Sequence, residues 1–191
     1  MNETPTPRSQ AKADRREALL DAAASLFAER GFTRVSLEEL GAAAGISGPA
    51  VYRHFDGKQA VLAAMLVDAS TDLCTGANTV IESAPSARAA LESLVEFHVE
   101  FALENANVIR VQDRDLDSLT DDDRHTVRTL QRSYVEQWVT TLARLHPDAA
   151  TSELRTRAHA TFGLINSTPH SGRAGTARAV LERMALAALD A

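Results

Sequence analysis

Residues Ser36 to Lys58 read S-L-E-E-L-G-A-A-A-G-I-S-G-P-A-V-Y-R-H-F-D-G-K, and no other stretch constrains the fold of this chain as tightly. Ser36 and Glu39 have the S-x-x-E spacing of a capping box, in which two side chains satisfy the free N–H groups of a helix start. A helix is therefore predicted from about Leu37. Leu37, Leu40, Ala43 and Ala44 form its apolar side. Gly45 follows where a glycine ends a helix in a left-handed turn. Ser47 is placed to cap a second helix, with Pro49 tolerated in its first turn because the missing N–H has no helical partner there. Asp56 and Gln59 repeat the capping pattern for a third helix near Gly57. Two helices joined by a short glycine-containing turn make a helix-turn-helix.

The second of these helices offers Tyr52, Arg53 and His54, and Lys58 opens the next one. Such groups suit phosphate oxygens and base edges. The alternative is structural: Tyr52 and Phe55 as core aromatics, Arg53 as a solvated charge.

The rest of the chain reads as helix. Aromatics make up 5% of its 191 residues and hydrophobic residues 45%, with abundant alanine, which favours helices over sheets. No strand-like alternation of useful length occurs. Residues 1–11 are polar with two prolines and are expected to be a disordered tail. A first helix is predicted from about Asp14 to Arg30, with Leu19, Ala23, Leu26 and Phe27 on one face and Gly31 at its end. Others follow from Gly57 to about Ala77, from the cap at Ser86 to about Glu104, and from Thr120–Asp123 to His146–Pro147. The last two run from about Ala150 to Asn166 and from about Gly175 to Leu189. Asn107–Leu116 is a short, charged segment. The expected fold is all-α with about nine helices, a small three-helix domain at residues 12–58 and a larger bundle at residues 59–191.

Net charge is −6, which is unusual for a nucleic-acid binder. Residues 1–58 are neutral, with eight basic and eight acidic side chains, so the bundle carries the whole deficit. Binding depends on the face presented to phosphates rather than on the total. Arg8, Lys12, Arg15 and Arg16 form either a basic arm or a polar tail. One cysteine, Cys74, excludes an internal disulfide and a cysteine-based zinc cluster. No apolar run has bilayer-spanning length and no signal core begins the chain, so a cytoplasmic protein without a membrane partner is expected. The six histidines lack metal-ligand spacing, and neither a phosphate-binding glycine loop nor a G-x-S-x-G elbow is present. Asp121–Asp123 fits a helix N-terminus, where the dipole favours acids. No enzyme activity, metal or cofactor is expected.

The segment from about Ala18 to Leu66 resembles the DNA-binding domain of the TetR family of bacterial one-component repressors. The resemblance rests on L-F-A-E-R-G-F at Leu26–Phe32, S-L-E-E-L-G-A-A-A-G-I-S at Ser36–Ser47, and A-V-Y-R-H-F-D-G-K-Q-A-V-L at Ala50–Leu62. Its most specific part is Y-x-H-F-x-x-K. The resemblance implies that the second helix of the motif enters the major groove of double-stranded DNA, with Ser47, Gly48, Pro49, Ala50, Tyr52, Arg53 and His54 facing it. Arg53 is expected at a base edge, and Tyr52, His54 and Lys58 at phosphate. The helix N-terminus at Ser36 is an anion site, with Thr33 and Arg34 beside it. Pro49 removes a donor and puts a base contact there in doubt.

The resemblance further implies a homodimer on a palindromic operator, with the last two helices pairing across the two-fold axis. Ala158, Phe162 and Ile165, with Gly163 beside them, and Val180, Leu181, Met184, Ala188 and Leu189 are the interface candidates; alternatively, these stripes face the chain's own bundle. A small-molecule effector is expected in the bundle. Its candidate contacts are Phe97, Phe101, Tyr134, Trp138 and Phe162, with Arg110, Asp113, Arg114, Asn166 and His170. The segments Gln112–Leu116 and Phe162–Ser171 resemble stretches in actinobacterial TetR-like regulators of lipid or acyl-thioester catabolism, which implies a small apolar or acyl-type effector. N-S-T-P-H-S also reads as a plain helix end. A helical interaction protein of the same fold that does not bind DNA is the alternative function.

Overall fold

A computed structural model describes residues 6–167 and 174–191. Within them the chain is all-α, with nine α-helices and two 3-10 turns. Helix α1 spans Pro7–Arg30, earlier than the Asp14 start read from the sequence. Thr6 is its cap, accepting from the Ser9 N–H, and Pro7 holds the first helical position, where a proline is preorganised. Residues 7–11 are thus helical and not part of a disordered tail. Gly31, at φ 88°, ends the helix and leads into a 3-10 turn, Phe32–Arg34.

The helix-turn-helix forms as its local chemistry dictates. In α2, Leu37–Ala43, both halves of the capping box are made: Glu39 N–H to Ser36 Oγ at 3.2 Å, and Ser36 N–H to Glu39 Oε2 at 2.8 Å. Gly45, at φ 69°, makes the left-handed turn, and the Ile46 N–H returns to the Gly41 carbonyl at 2.9 Å. Helix α3 is short, Gly48–Val51, and continues as turns to Phe55. Ser47 occupies its N-cap position, but its side chain makes no capping bond.

Helix α4 runs from Lys58 to Ser83. The Asp56–Gln59 capping box does not form; Gln59 instead donates to the Ser118 carbonyl at 3.0 Å. Nor does Gly76 break the helix. The ring of Phe97 lies where a Cβ would stand, so glycine there admits close packing of the next helix. Against the expectation that no run has bilayer-spanning length, α4 is long and apolar enough to cross a membrane. It is a core helix here, with Val61, Leu62, Met65, Leu66 and Ala77 buried.

Helix α5, Ala87–Glu104, starts at its Ser86 cap, and α6, Ala106–Asp115, is the charged segment. A 3-10 turn, Leu116–Ser118, leads to α7, Asp121–Ala143, capped by Thr120. Helices α8, Thr151–Asn166, and α9, Ala174–Asp190, complete the bundle.

Two apolar cores result. The first gathers Leu19, Phe27, Leu40, Val51, Phe55, Leu62 and Leu66, and also takes Val111, Leu119 and Val127 from α6, α7 and the turn between them. The second gathers Ala77, Leu91, Leu94, Trp138, Leu142, Leu154 and Ile165 with the buried face of α9. A boundary at residue 58 therefore cuts through the first core, which reaches along α4 to Leu66 and borrows from the bundle.

The Gly45 turn isolates a backbone effect, because a Cβ there would meet nothing within 4 Å. Gly45→Ala should cost about 1–2 kcal/mol from left-handed strain alone, and Gly45→Asn less. Urea denaturation of the two variants measures the difference; equal losses would refute a purely conformational cause.

Candidate nucleic-acid interface and effector cavity

Helix α3 is anchored from beneath. Val51 is fully buried and Phe55 nearly so, four residues apart on one side. The opposite side turns Tyr52, 59% exposed, and Arg53 to solvent, with Ser47 and Pro49 beside them and Ala50 half-buried. Of the two aromatics with a possible core role, Phe55 has it and Tyr52 does not. Gly48 opens the helix. Among the other expected DNA-facing residues, Thr33 and Ser36 are exposed at the 3-10 turn and the α2 N-terminus.

Two of those residues do more than face solvent. His54 is half-buried, with Nδ1 shielded and unpartnered. Burial, then the charges of Lys12, Arg15, Arg16 and Arg53, pushes its pKa down, so the ring is neutral near pH 7. Lys58, expected at phosphate, is instead a strut. Its ammonium donates to the Phe32 carbonyl at 2.8 Å and the Thr33 carbonyl at 3.4 Å, and stands 4.5 Å from the Phe32 ring centroid. In the basic cluster of α1, Lys12 and Arg15 are exposed. Arg16 pairs with Asp68 at 2.7 Å and lies 5.5 Å from the Phe55 ring centroid, tying α1 to α4.

Behind this surface, α6 grips the small domain. The Arg114 guanidinium donates to the Phe27 carbonyl and, at 3.3 Å, to that of Ala28, both at the C-terminal end of α1. It is held by Asp115 at 2.9 Å. The buried Asp115 carboxylate also accepts the Phe32 N–H at 3.4 Å. A cation on exposed carbonyls suits a helix C-terminus. Arg114, expected to contact the effector, is therefore an interdomain latch.

A cavity of about 200 Å³, the candidate effector site, lies where α4 to α8 meet. Tyr134, Phe162 and Asn166 line it as expected. Phe97, Phe101, Arg110 and Arg114 do not. Trp138 is fully buried and stands edge-on behind it, 5.0 Å from Phe162 between ring centroids. His170 lies outside the described residues. The organising residue, His98, was missed. Its Nδ1 is 2.8 Å from the Tyr134 hydroxyl and its Nε2 is 3.1 Å from Asn166 Oδ1. With that oxygen as acceptor, Nε2 carries the proton and the tyrosine donates to Nδ1. Burial pulls the His98 pKa down to about 4, although the Asn166 bond opposes the shift, and burial pushes the Tyr134 phenol up. The sequence held a signal for His98: it continues the buried face of Leu91, Leu94 and Val95 at helical spacing.

On the last two helices, Ala158, Ile165, Leu181 and Leu189 are buried in the chain's own core, so these four expected interface residues are not available to a partner. Phe162 belongs to the aromatic cluster around His98. Val180 and Met184 are exposed, at 38% and 50%, and Ala188 is half-buried.

A helix-turn-helix with Tyr52 and Arg53 turned outward, joined through a shared helix to a bundle that holds a cavity, is the architecture of a one-component DNA-binding regulator. Comparison with known proteins agrees. The family model "Bacterial regulatory proteins, tetR family" matches residues 19–65, and "Tetracyclin repressor-like, C-terminal domain" matches residues 84–170. The HTH-type transcriptional repressor KstR2 of Rhodococcus jostii strain RHA1 is 30% identical over 140 residues, covering 73% of this chain and 69% of that protein. A TetR-family regulator from Bordetella parapertussis 12822 superposes with a TM-score of 0.83 at 26% identity, covering 92% of this chain and 94% of that one. The ketosteroid regulator KstR2 of Mycobacterium tuberculosis shares the fold, with a TM-score of 0.78 at 20% identity over 92% and 93% of the two chains. The chain belongs to the TetR family of DNA-binding transcriptional regulators, which are not enzymes.

The buried neutral His98 makes stability depend on pH. Above the ordinary histidine value of 6.5 the ring is neutral in both folded and unfolded chains. Between 6.5 and about 4 only the unfolded chain takes up the proton. Stability should fall by about 3 kcal/mol across that window and level off below it. Urea midpoints of wild type and His98→Phe at pH 7 and pH 4.5 check this; the variant should lose less on acidification.

Proposed function

We propose that this protein is a cytoplasmic, homodimeric repressor that reads a palindromic operator with α3 and releases it when a small molecule occupies the bundle. The observation that carries the reading is the opposed placement of side chains on α3. Val51 and Phe55 fix the helix to the core, so Tyr52 and Arg53 are held outward on a rigid base. Residues Thr33, Ser36, Ser47, Gly48, Pro49, Ala50, Tyr52, Arg53 and His54 form the DNA surface, and Lys58 shapes it from behind. Arg53 reads a base edge, while Tyr52 and the α2 N-terminus hold phosphate. The two reading heads of a dimer sit roughly 34–36 Å apart, or a multiple of that. Release follows from linkage: an effector that favours another head spacing must lower DNA affinity by the factor by which DNA lowers its own.

The test is selection of binding sites from random duplex DNA, followed by affinity measurements. Wild type should enrich a palindrome. Arg53→Ala should lose about 1–3 kcal/mol on that palindrome and little on scrambled duplex. Equal loss on both would make Arg53 a phosphate contact only, and no enrichment by wild type would favour an interaction protein that does not bind DNA.

Dimerisation is assigned to the outer faces of α8 and α9, not to the buried stripes. Val180 and Met184 are the exposed apolar anchors. Ala160 and Gly163 are exposed on α8, and a Cβ at Gly163 would meet nothing within 4 Å in the protomer. A large side chain there leaves the fold intact but blocks close helix approach. Gly163→Arg should be folded by circular dichroism and monomeric by sedimentation equilibrium. A folded Gly163→Arg dimer would move the interface elsewhere.

A further inference from the structure

The regulator reading leaves the effector unnamed, and resting on that reading, the cavity narrows the choice. We propose that the cavity around His98 takes an uncharged, compact ring compound bearing one hydroxyl or carbonyl group, and that it rejects carboxylates, long acyl chains and acyl thioesters of coenzyme A.

The lining contains no lysine, arginine, aspartate or glutamate. His159, the other histidine of the lining, is exposed, so an anion placed in the buried part, around His98, would give up its hydration with no fixed counter-charge there, which is strongly unfavourable. His98 does not supply the missing charge. It is 4% exposed and both ring nitrogens are already engaged by neutral partners, Tyr134 and Asn166. Those bonds fix what is left to offer a ligand. Tyr134 donates to His98, so its oxygen can accept from a ligand or from the buried indole N–H of Trp138. Asn166 uses its oxygen on His98, so its amide N–H groups are donors without a His98 partner. Gln112 and Gln131 add neutral amides of both kinds. Such a set pairs with a hydroxyl or a carbonyl.

Shape points the same way. The His98, Tyr134 and Phe162 rings lie within 26° of parallel, with centroids 5.0 to 5.6 Å apart. Trp138 closes the cluster edge-on, at 88° to His98. Parallel rings favour an offset flat partner over a flexible chain. The volume, about 200 Å³, exceeds the roughly 150 Å³ that holds a benzene-sized molecule and is below the roughly 300–1,000 Å³ of larger ligand sites. One or two fused rings fit; a long chain or a nucleotide-bearing thioester does not.

The site is also placed to act. Ser70 and Leu73 on α4 lie just beyond Leu66 and Val67, the last α4 residues that pack into the first core. Gln112 stands two residues before Arg114, whose guanidinium holds the end of α1. A ligand in the cavity therefore touches both helices that fix the small domain.

The test uses the full chain and calorimetry with four probes: 1-indanone and 2-naphthol as neutral rings, indane-1-carboxylate as the charged analogue, and decanoyl-CoA. The neutral rings should bind and raise the melting temperature, with indane-1-carboxylate at least about tenfold weaker and decanoyl-CoA inactive. His98→Phe should weaken binding of the neutral rings. Gln131→Trp, at a half-buried position of the lining, should block it with little effect on the apo melting temperature. Tighter binding of the carboxylate or the thioester overturns the proposal, as does failure of both neutral rings to bind at millimolar concentration. DNA-site selection, run separately, distinguishes the two failures. An enriched palindrome with no ring binding removes only the ligand class, whereas ring binding without any enriched DNA removes the regulator reading.

Discussion

Helix α4 is unbroken from Lys58 to Ser83 and belongs to both cores at once. Its first three turns bury Val61, Leu62, Met65 and Leu66 beneath the helix-turn-helix, and further along Ala77 is buried among α5 and α7 residues. A helix this long and this well packed transmits a tilt rather than absorbing it, because close-packed interiors do not deform continuously. In the proposed mechanism this helix couples the orientation of the helix-turn-helix to Ser70 and Leu73, on the cavity wall.

The coupling has a second strand. Helix α6 places Arg114 on the last carbonyls of α1 and Asp115 on the N–H of Phe32. Phe32 in turn packs against Phe27, at 5.4 Å between ring centroids, and against the Lys58 ammonium. The corner between α1 and α2 is thus held by α6 from one side and by the start of α4 from the other. Both helices contribute to the cavity lining, so the geometry of α2 and α3 rests on the two elements an effector would touch.

Much of this was legible locally. The starts of α2, α5 and α7 follow from Ser36, Ser86 and Thr120, each accepting from the N–H three residues on. Gly31 and Gly45 announced helix ends and adopt positive φ. Where two local signals competed, the sequence misled. Asp56 and Gln59 have capping spacing, yet Gln59 reaches Ser118, 59 residues away. Gly76 looked like a helix breaker and became the flat spot on which Phe97 rests. The apolar stripes of α8 and α9 were readable as stripes, but not as facing inward or outward.

Alone, the sequence determined the all-α class, the order of helices and the position of the helix-turn-helix, because caps, glycine turns and apolar periodicity act over three or four residues. Tertiary structure decided which polar groups meet. His98 with Tyr134 and Asn166, Arg114 with the end of α1, and Lys58 with Phe32 join residues 26 to 87 positions apart. No short-range pattern encodes such pairings, since they depend on how helices pack once their apolar faces are buried. For that reason the candidate DNA-facing residues could be proposed from the sequence, with Lys58 among them although it proves to be a strut, whereas the His98 cluster that walls the cavity could not.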